Sequence, residues 1–274
     1  MIMKLTVNIS DQDYEVDYRN GLHISIPLNF NGDQPNTYEV KRAFSEPYKA
    51  GEFIGSVALG GACNFETYQL VPHCNGTHTE CIGHISEDRI EVHKDIEDSL
   101  IPACVISVKP ENALESGDSY TPELEERDYL ISAASLEKAL QNTHQHFCEA
   151  LVIRTLPNEN LKKSISYMND LPAFFSHEAI RFIQQKGVKH LLVDLPSVDR
   201  TFDDGLLSNH RIYWNVAPGV KKIDSNKTEG KSITEMIYVE DKISDGNYLL
   251  NLQMAAFMGD ASPSRPILYK IKPV

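Results

Sequence analysis

The order of predicted elements along the chain indicates an α/β fold: a mixed, partly parallel β-sheet core with flanking helices. A continuous apolar run with β-branched residues predicts a buried strand at 101–108, and further strands are predicted at 151–155 and 188–194. Two segments between these strands have the signals of helices, at 135–148 and 178–186. Because strands and helices alternate, crossover connections should make the neighbouring strands parallel.

The length and charge of the chain limit its organisation and its partners. Its 274 residues suffice for one large domain or two small ones. The acidic loop at 110–127 is interpreted as an insertion, because the elements on either side belong to one β/α series. We therefore expect a single domain over residues 1–274. The net charge of −13 argues against nucleic acid or an anionic membrane as a partner.

Hydropathy and cysteine content predict a cytoplasmic protein. No run approaches the ~18 apolar residues of a membrane span. Residues 1–7 lack the long apolar core of a signal peptide. The five cysteines have no spacing typical of a disulfide framework, so reduced thiols are the simplest interpretation.

The N-terminal part of the chain predicts strands joined by polar turns. Residues 3–18 alternate apolar and polar side chains on both sides of a break at 8–13, which indicates a β-hairpin. A short strand at 21–27 ends in proline and precedes a polar loop at 29–36. Residues 64–71 alternate like a strand that leads into the histidine-rich segment described below.

Capping residues define the ends of the two predicted helices. Ser135 is the expected N-cap of the first helix, whereas Ser176 caps the second and Gly187 ends it. His144 and His146 fall on the first helix. Because they are two residues apart, they should point in different directions and form no chelating pair.

The rest of the chain divides into polar loops and apolar strands. Residues 87–98 are acidic and residues 221–231 are polar, so both segments are predicted to be solvated loops, the second an inserted one. Further apolar runs predict strands, at 233–239, 248–254 and 266–271.

Three histidines and a carboxylate close together in the sequence form the strongest candidate for a functional site. They belong to the segment His73-Cys-Asn-Gly-Thr-His78-Thr-Glu80-Cys-Ile-Gly-His84. In an extended run, His78 and Glu80 project to the same side. Gly76 allows the backbone to turn, and His84 follows closely enough to return to the same point. Imidazole and carboxylate groups that converge are the ligands of hydrolytic metal sites.

Residues 75–80, Asn-Gly-Thr-His-Thr-Glu, followed by His84, resemble the signature of the putative cyclase family. That family includes kynurenine formamidase and other metal-dependent amide and lactone hydrolases. Its pattern is His, two residues, Thr, His, any residue, Asp, three residues, His. This sequence has Glu80 where the pattern has Asp, and strict spacing would make Cys74 the first ligand. We favour His73 as the first ligand, with Cys74 as the alternative, because a one-residue bulge can realign the histidine.

The resemblance continues in the second half of the chain. The segment Asp194-Leu-Pro-Ser197-Val-Asp199 resembles the family's Asp-x-x-Ser-x-Asp turn at the carboxyl end of a strand, where ligands collect in open α/β sheets. These side chains would not bind the metal themselves, but they can orient the ligand histidines by hydrogen bonds. The resemblance further implies that His210 and Glu235 bind metal. The gap between these two is longer than in the family, which fits the inserted loop.

The resemblance implies a hydrolase of an arylformamide, a cyclic amide or a lactone, with one or two divalent ions of zinc or manganese as cofactor. The implied metal ligands are His73, His78, Glu80, His210 and Glu235. Glu80 would bridge the ions if two bind, and His84 would act catalytically by moving protons. A cysteine ligand at position 74 would favour zinc.

The resemblance also implies a swivelling β/β/α fold, a small-molecule substrate and a homo-oligomer. The alternative function is a protein of the same fold whose metal site is structural or degenerate and which binds or regulates through a small molecule. A polyketide-type cyclase or dehydratase is a weaker third interpretation, suggested only by the name of the family.

Overall fold

The computed structural model, which describes residues 3–97, 99–225 and 228–274, consists of short helices around a long β-sheet. The strands are β1 Thr6–Ile9, β2 Gln12–Val16, β3 Leu22–His23, β4 Phe44–Pro47, β5 Lys49–Ala50, β6 Phe53–Ile54, β7 Glu66–Gln69, β8 His78–Glu80, β9 Leu100–Val108, β10 Glu111–Asn112, β11 Tyr129–Ile131, β12 Ala150–Thr155, β13 Phe174–Phe175, β14 His190–Val193, β15 Ser232–Glu235, β16 Gly246–Asn251, β17 Ala261–Pro263 and β18 Ile267–Pro273. The helices are α1 Pro72–Asn75, α2 Val92–Asp95, α3 Ala133–Leu140, α4 His177–Gln185 and α5 Ser208–Tyr213.

Eleven of the described strands form one mixed sheet. At its centre β9, β12, β14 and β15 are parallel to one another. Antiparallel strands extend this centre in both directions, through β16, β18, β2 and β1 on one side and through β8 and β17 on the other. The predicted α/β class and the partly parallel sheet are therefore confirmed.

Alternate residues of the parallel strands pack on opposite faces of the sheet. Leu151 and Ile153 of β12 belong to a core cluster that includes the inward side chains of α3 and α4. Ala150 and Val152 belong to a second cluster on the other face, together with residues of β16. Burial on both faces explains why these strands are continuous apolar runs in the sequence.

The predicted N-terminal hairpin and the central strands are confirmed. β1 and β2 pair antiparallel in the register Val7 opposite Tyr14, and β18 joins this hairpin to the long sheet. The predicted strand at 64–71 is the shorter β7, which pairs with β4 outside the long sheet. Among the described residues, no helix is both long enough and apolar enough to cross a membrane.

The second predicted helix is confirmed, whereas the first begins and ends earlier than expected. Ser176 caps α4 by accepting a hydrogen bond from Ala179 N, and Gly187 beyond the helix has a φ of +72°. The cap of α3 is Ser132, and Ser135 N donates to its side chain, so the prediction of Ser135 as the N-cap is wrong. Two serines three residues apart offered the same signal.

His144 and His146 lie beyond α3, next to each other. His146 belongs to a 3-10 turn at 145–147 and His144 precedes it. Their rings stack at a centroid distance of 5.4 Å and an interplanar angle of 8°. The expectation that they diverge on one helix is therefore wrong, because helical geometry ends at Leu140. The pair belongs to none of the candidate metal-binding groups among the described residues.

The acidic segment 87–98 is more than the solvated loop that its charge predicted. It contains α2, and Ile90, Val92 and Ile96 are buried in the core cluster. Asp98 lies outside the described residues, as do residues 226 and 227 of the predicted inserted loop. Three apolar side chains therefore anchor this segment in spite of its acidic composition.

The carboxyl ends of the parallel strands position the candidate site. β14 ends directly before Asp194, and β15 ends at Glu235. Glu235 is therefore the last residue of its strand. Met236, which follows it, has a φ of +52°, and this left-handed residue ends the regular strand.

Candidate metal centre

A helical turn and a strand bring the histidine-rich segment together. α1 begins at Pro72, which is favourable at the first position of a helix, and it carries His73. β8 carries His78 and Glu80, which project to one side because they are two residues apart. The segment is therefore extended only at 78–80, and His73 reaches the same point from a helix.

β8 is held between two antiparallel neighbours at one end of the long sheet. In the register with β15, His78 lies opposite Glu235 and Thr79 lies opposite Thr234. The Oγ1 atoms of Thr79 and Thr234 are 2.8 Å apart, on the face away from His78. The side chains of His78 and Glu80 are fully buried. Both are consequently fixed before any ligand arrives.

The carboxylate of Glu80 is the centre of the site. Its Oε1 is 2.9 Å from Nε2 of His210. Its Oε2 is 3.0 Å from Nδ1 of His73 and 3.6 Å from Nδ1 of His84. A single carboxylate thus faces three histidines from different parts of the chain.

Glu235 provides a second carboxylate on the same side. Its Oε2 is 3.4 Å from Nε2 of His78, and its Oε1 is 3.8 Å from Nε2 of His210. Val198 N donates a hydrogen bond of 3.0 Å to Oε1 and fixes the orientation of the carboxylate. Glu80 and Glu235 together face the inward nitrogens of the histidines.

Each of three histidines uses its other ring nitrogen for a contact that orients the ring. Nε2 of His73 is 2.9 Å from Oδ2 of Asp260. Nδ1 of His78 is 3.0 Å from the carbonyl oxygen of Gly76. Nδ1 of His210 is 2.6 Å from Oδ2 of Asp199. This is the arrangement in which metal-binding histidines are held, with one nitrogen on an acceptor and the other directed at the ion.

Two buried polar atoms at this point have no hydrogen bond within the described part of the chain. They are Nε2 of His78 and Oε2 of Glu80. The close approach of His73 to Oε2 lacks the geometry of a hydrogen bond. Buried polar groups without partners are costly. A divalent cation would satisfy both atoms, so these residues fit a metal ion, and their nitrogen and oxygen donors suit zinc or manganese.

The possible ligand sets overlap. Ligand atoms lie within 4.8 Å of one another in three groups: His73, His78 and Glu80; His73, His84 and Asp260; Glu80, His84 and His210. Glu80 belongs to two of them, as expected of a bridging carboxylate. These residues would hold a divalent ion, and Glu80 would be shared between two of the possible ligand sets.

Opposite charges stabilise one another in the buried half of the site. Burial alone would raise the pKa of Glu80, but the neighbouring His84 and His210 outweigh burial and hold it well below its usual value. Burial would lower the pKa of His210, but Glu80 and Asp199 raise it well above its usual value. The carboxylates therefore strongly favour a cation at this point, which a divalent ion supplies once the protons leave.

Opposite charges also stabilise one another on the partly exposed side of the site. Burial would lower the pKa of His73, but its contacts with Asp260 and Glu80 raise the pKa to about 10. The hydrogen bonds from His73 and His84 hold the pKa of Asp260 far below its usual range. Metal binding at His73 must therefore displace a proton, and it should weaken as the pH falls.

The turn after β14 supports the site through Asp199 and its neighbours. Burial would raise the pKa of Asp199, but its hydrogen bond with His210 outweighs burial and lowers it. Asp199 also accepts hydrogen bonds from Tyr120 Oη, at 2.7 Å, and from Asn209 N, at 2.8 Å. Ser197 Oγ accepts from Asp199 N at 3.1 Å. Ser197 thus contacts the backbone of the turn, and Asp199 is the residue that reaches a histidine.

Asp194 faces a different cluster. Its Oδ2 accepts from Lys162 Nζ, at 2.8 Å, and from Thr155 N, at 2.9 Å. Its Oδ1 accepts from Thr155 Oγ1 at 2.8 Å. The contacts of Asp194 therefore give no support to its predicted role of holding a ligand histidine.

Cys74, the alternative first ligand, is buried on the helical turn α1. None of the three candidate metal-binding groups among the described residues contains it. Burial, followed by the negative charge of Glu235, raises the pKa of its thiol to about 11. Metal binding by Cys74 would require the loss of this proton, and His73 stays the predicted first ligand.

Two residues near the site, Asp260 and Tyr38, were not predicted from the sequence. Asp260 contacts His73 and His84, as described above, although 187 residues separate it from His73. Tyr38 has a φ of +53° and is 46% exposed. Burial, followed by the negative charge of Glu235, raises the pKa of its hydroxyl. Tyr38 follows the segment 29–36, which was interpreted as a polar loop, and Asp260 lies far from the histidine-rich segment in the sequence.

Comparison with curated proteins finds kynurenine formamidases. The kynurenine formamidase of Bacillus cytotoxicus is 29% identical over 254 residues, which cover 90% of this chain and 96% of that protein. The kynurenine formamidase of Bacillus mycoides is 28% identical over 260 residues, which cover 91% and 97%. The match therefore extends over nearly the whole length of both proteins.

Solved structures share the fold at low sequence identity. Isatin hydrolase A from Ralstonia solanacearum superposes with a TM-score of 0.58 at 14% identity, covering 91% of each chain. A predicted metal-dependent hydrolase from Bacillus stearothermophilus superposes with a TM-score of 0.56 at 13% identity, covering 91% of this chain and 98% of that one. The family model described as putative cyclase matches residues 5–200. The chain belongs to the putative cyclase family.

Proposed function

We propose that this protein is a metal-dependent hydrolase that cleaves a C–N or C–O bond next to a carbonyl group. The substrate class is an arylformamide, a cyclic amide or a lactone. The observation that carries the proposal is the pair of buried atoms without hydrogen bonds, Nε2 of His78 and Oε2 of Glu80, within a set of oriented histidines. The similarity to kynurenine formamidases at 26–29% identity supports the choice of an amide bond.

The metal-binding role is assigned to five side chains: His73, His78, Glu80, His210 and Glu235. Their contacts with one another support this set, and Glu80 is the proposed bridge because both of its oxygens face histidines. A divalent ion, zinc or manganese, would polarise the substrate carbonyl and lower the pKa of a water molecule when bound. Asp199 and Asp260 would keep His210 and His73 in the orientations that bind.

His84 is the proposed catalytic residue. Its contacts with Glu80 and Asp260 run through Nδ1, so Nε2 lies on the opposite side of the ring. The side chain is 26% exposed, whereas Glu80 is fully buried, so His84 lies on the solvent side of Glu80. We assign to its Nε2 the transfer of a proton to the departing nitrogen or oxygen of the substrate.

The domain organisation, the location and the assembly of the protein are proposed from the composition of the chain and from the family. We propose one domain over residues 1–274, the swivelling β/β/α arrangement, a cytoplasmic location and a homo-oligomer that acts on a small molecule. Kynurenine formamidases and isatin hydrolases support the small-molecule substrate by analogy. Fold alone does not determine function, so the substrate class depends on the assay below.

The assay uses protein loaded with zinc or with manganese and one substrate of each kind: an arylformamide, a cyclic amide and a lactone. We expect hydrolysis of at least one, and a fall of kcat by about 10²–10⁴-fold in His84→Gln, which removes general acid–base catalysis. His84→Gln should leave the metal content unchanged if His84 is not a ligand.

The matched control for this variant is His144→Gln, which changes a histidine outside the site. It should leave kcat unaltered. Metal-loaded protein that hydrolyses none of the three substrate types would contradict the proposal. The alternative, a small-molecule binding or regulatory protein with a structural site, would then be the better explanation.

A further inference from the structure

We propose that Asp260 is a positioning residue that orients two histidines of different roles at once, the metal ligand His73 and the proton-transferring His84. The inference rests on the proposed function and adds to it a carboxylate beyond residues 5–200, which the family model matches. A single oxygen atom, Oδ2 of Asp260, makes both contacts. The orientation of the ligand and that of the catalytic residue are therefore coupled.

Asp260 is fixed by the backbone and not only by its side chain. It directly precedes β17, and in the pairing of β17 with β8 Ala261 lies opposite Glu80. Cys81 N donates a hydrogen bond of 3.0 Å to the carbonyl oxygen of Asp260. The strand that carries Glu80 thus also determines where Asp260 lies.

Gly83 allows the close approach of Asp260 to the turn that carries His84. Residues 82–85 form a 3-10 turn. A Cβ atom at position 83 would lie 2.4 Å from the carbonyl oxygen of Ile90 and 3.2 Å from Cβ of Asp260. A larger residue at 83 would push these segments apart, and the contact between Asp260 and His84 would be lost.

The two contacts have different consequences. Oδ2 is 2.9 Å from Nε2 of His73, which leaves Nδ1 of His73 directed at Glu80. Oδ2 is also 3.3 Å from Nδ1 of His84, which favours the proton on Nδ1 and leaves Nε2 as the nitrogen that exchanges a proton with substrate. The two rings lie side by side, at a centroid distance of 4.3 Å and an angle of 32°.

The exposed fractions of the side chains support the role of Asp260 as a positioning residue. The side chains of His73, His84 and Asp260 are 25%, 26% and 41% exposed, whereas that of Glu80 is fully buried. These three residues therefore form the side of the site that faces solvent, where a substrate must enter. An acid at this position can orient both rings without filling the space that the substrate needs.

The test compares Asp260→Asn, which keeps the shape and removes the charge, with Asp260→Glu and with Asp33→Asn, an exposed control. The first readout is zinc affinity, measured by competition with a chromophoric chelator. The second is the tautomer of His84, read from long-range ¹H–¹⁵N NMR spectra of the metal-free protein. The third is kcat and KM for whichever substrate the wild type hydrolyses. Circular dichroism verifies that each variant is folded.

For Asp260→Asn we expect about 10–100-fold weaker zinc binding, the size of effect seen when an outer carboxylate is removed. The proton on Nδ1 of His84 should become less favoured, and kcat should fall about 10–100-fold with little change in KM. Asp260→Glu should recover part of each effect, and Asp33→Asn should match the wild type.

Wild-type zinc affinity together with a wild-type His84 tautomer in folded Asp260→Asn would overturn the inference. A change in zinc affinity without a change at His84 would also overturn it, because the proposal requires both histidines to respond. If the wild type hydrolyses no substrate, the proposed function fails, but the affinity and NMR readouts still decide the role of Asp260.

Discussion

Asp194 and Asp199 lie five residues apart on one turn, and both are buried, yet they serve different parts of the molecule. Asp199 contacts His210, and this contact lowers its pKa in spite of burial. Asp194 contacts Lys162 and Thr155, and burial raises its pKa although Lys162 opposes that rise. Asp199 therefore belongs to the candidate metal centre, and Asp194 belongs to a structural cluster beside it.

The difference shows that a motif does not fix the role of each residue in it. Both aspartates match the family's turn, but the nearest cation decides what each carboxylate does. The ammonium group of Lys162 makes three contacts, to Asp194 Oδ2 and to two oxygens of Thr155, so the cluster is complete without any ligand. The cluster at His210, by contrast, includes the two buried atoms that lack partners.

The largest effect is expected for Lys162→Met. It leaves the buried carboxylate of Asp194 without its cation, and breaking a buried ion pair by removing one partner costs about 3–5 kcal/mol. The free energy of unfolding, measured with urea, should fall by that amount while the folded variant still binds zinc. Loss of zinc at unchanged stability would mean that the Lys162 cluster belongs to the metal centre.

Asp199→Asn should, unlike Lys162→Met, weaken zinc binding. The variant loses the carboxylate that orients His210, so zinc affinity should fall about 10–100-fold. Competition with a chelator measures that affinity, and Asp33→Asn is the control for loss of a negative charge. Unchanged zinc affinity in a folded Asp199→Asn protein would remove the distinction between the two aspartates.

A matched pair of hydrogen-bond deletions sharpens the comparison. Tyr120→Phe removes the 2.7 Å bond to Asp199, and Thr155→Val removes the 2.8 Å bond to Asp194. Each should lower the free energy of unfolding by about 1.5–3 kcal/mol, the range for a bond to a charged group. Only Tyr120→Phe should also weaken zinc binding. Equal zinc affinities in the two variants would show that Asp199 needs no support.

The smallest effect is a difference in pH dependence. The folded-state pKa of Asp199 is lowered, so its contribution to stability is present above the unfolded-state pKa near ~3.9 and is lost as the pH falls. The pKa of Asp194 is raised, so the folded state keeps a proton that the unfolded state has released. The contribution of Asp194 therefore decreases as the pH rises above ~3.9.

The measurement is the free energy of unfolding of each Asp→Asn variant between about pH 3 and pH 6, with a chelator present. Relative to the wild type, stability should rise less steeply with pH in Asp199→Asn and more steeply in Asp194→Asn. Parallel curves for the two variants would contradict the assignment.

The sequence predicts the central sheet well because its signals are local. The segments at 101–108, 151–155 and 188–194 are rich in apolar residues, which is typical of parallel strands covered on both faces. The segment 87–98 was predicted incorrectly because its charges outnumber the three apolar residues that anchor it. The net charge of a segment is therefore a poor predictor of its solvent exposure when a few apolar side chains pack it into the core.

The sequence predicted those residues of the candidate site that lie close together along the chain. It did not predict the residue that reaches the site through the pairing of distant strands. His78, Glu80 and His84 are close together in the sequence, so their spacing indicated a site. Asp260 reaches that site because β17 pairs with β8, and no short-range pattern specifies that pairing. His73 lies on the helical turn α1, where the sequence interpretation had placed a bulge.

The central claim is that His78, Glu80 and their neighbours bind a divalent metal ion. The most direct test is the metal content of purified wild type, His78→Ala and His144→Ala after dialysis against zinc or manganese and removal of unbound ion. We predict at least one equivalent in the wild type and in His144→Ala, and a loss of bound metal in His78→Ala. A wild type that retains neither ion, or a His78→Ala variant that binds as much metal as the wild type, would contradict this account.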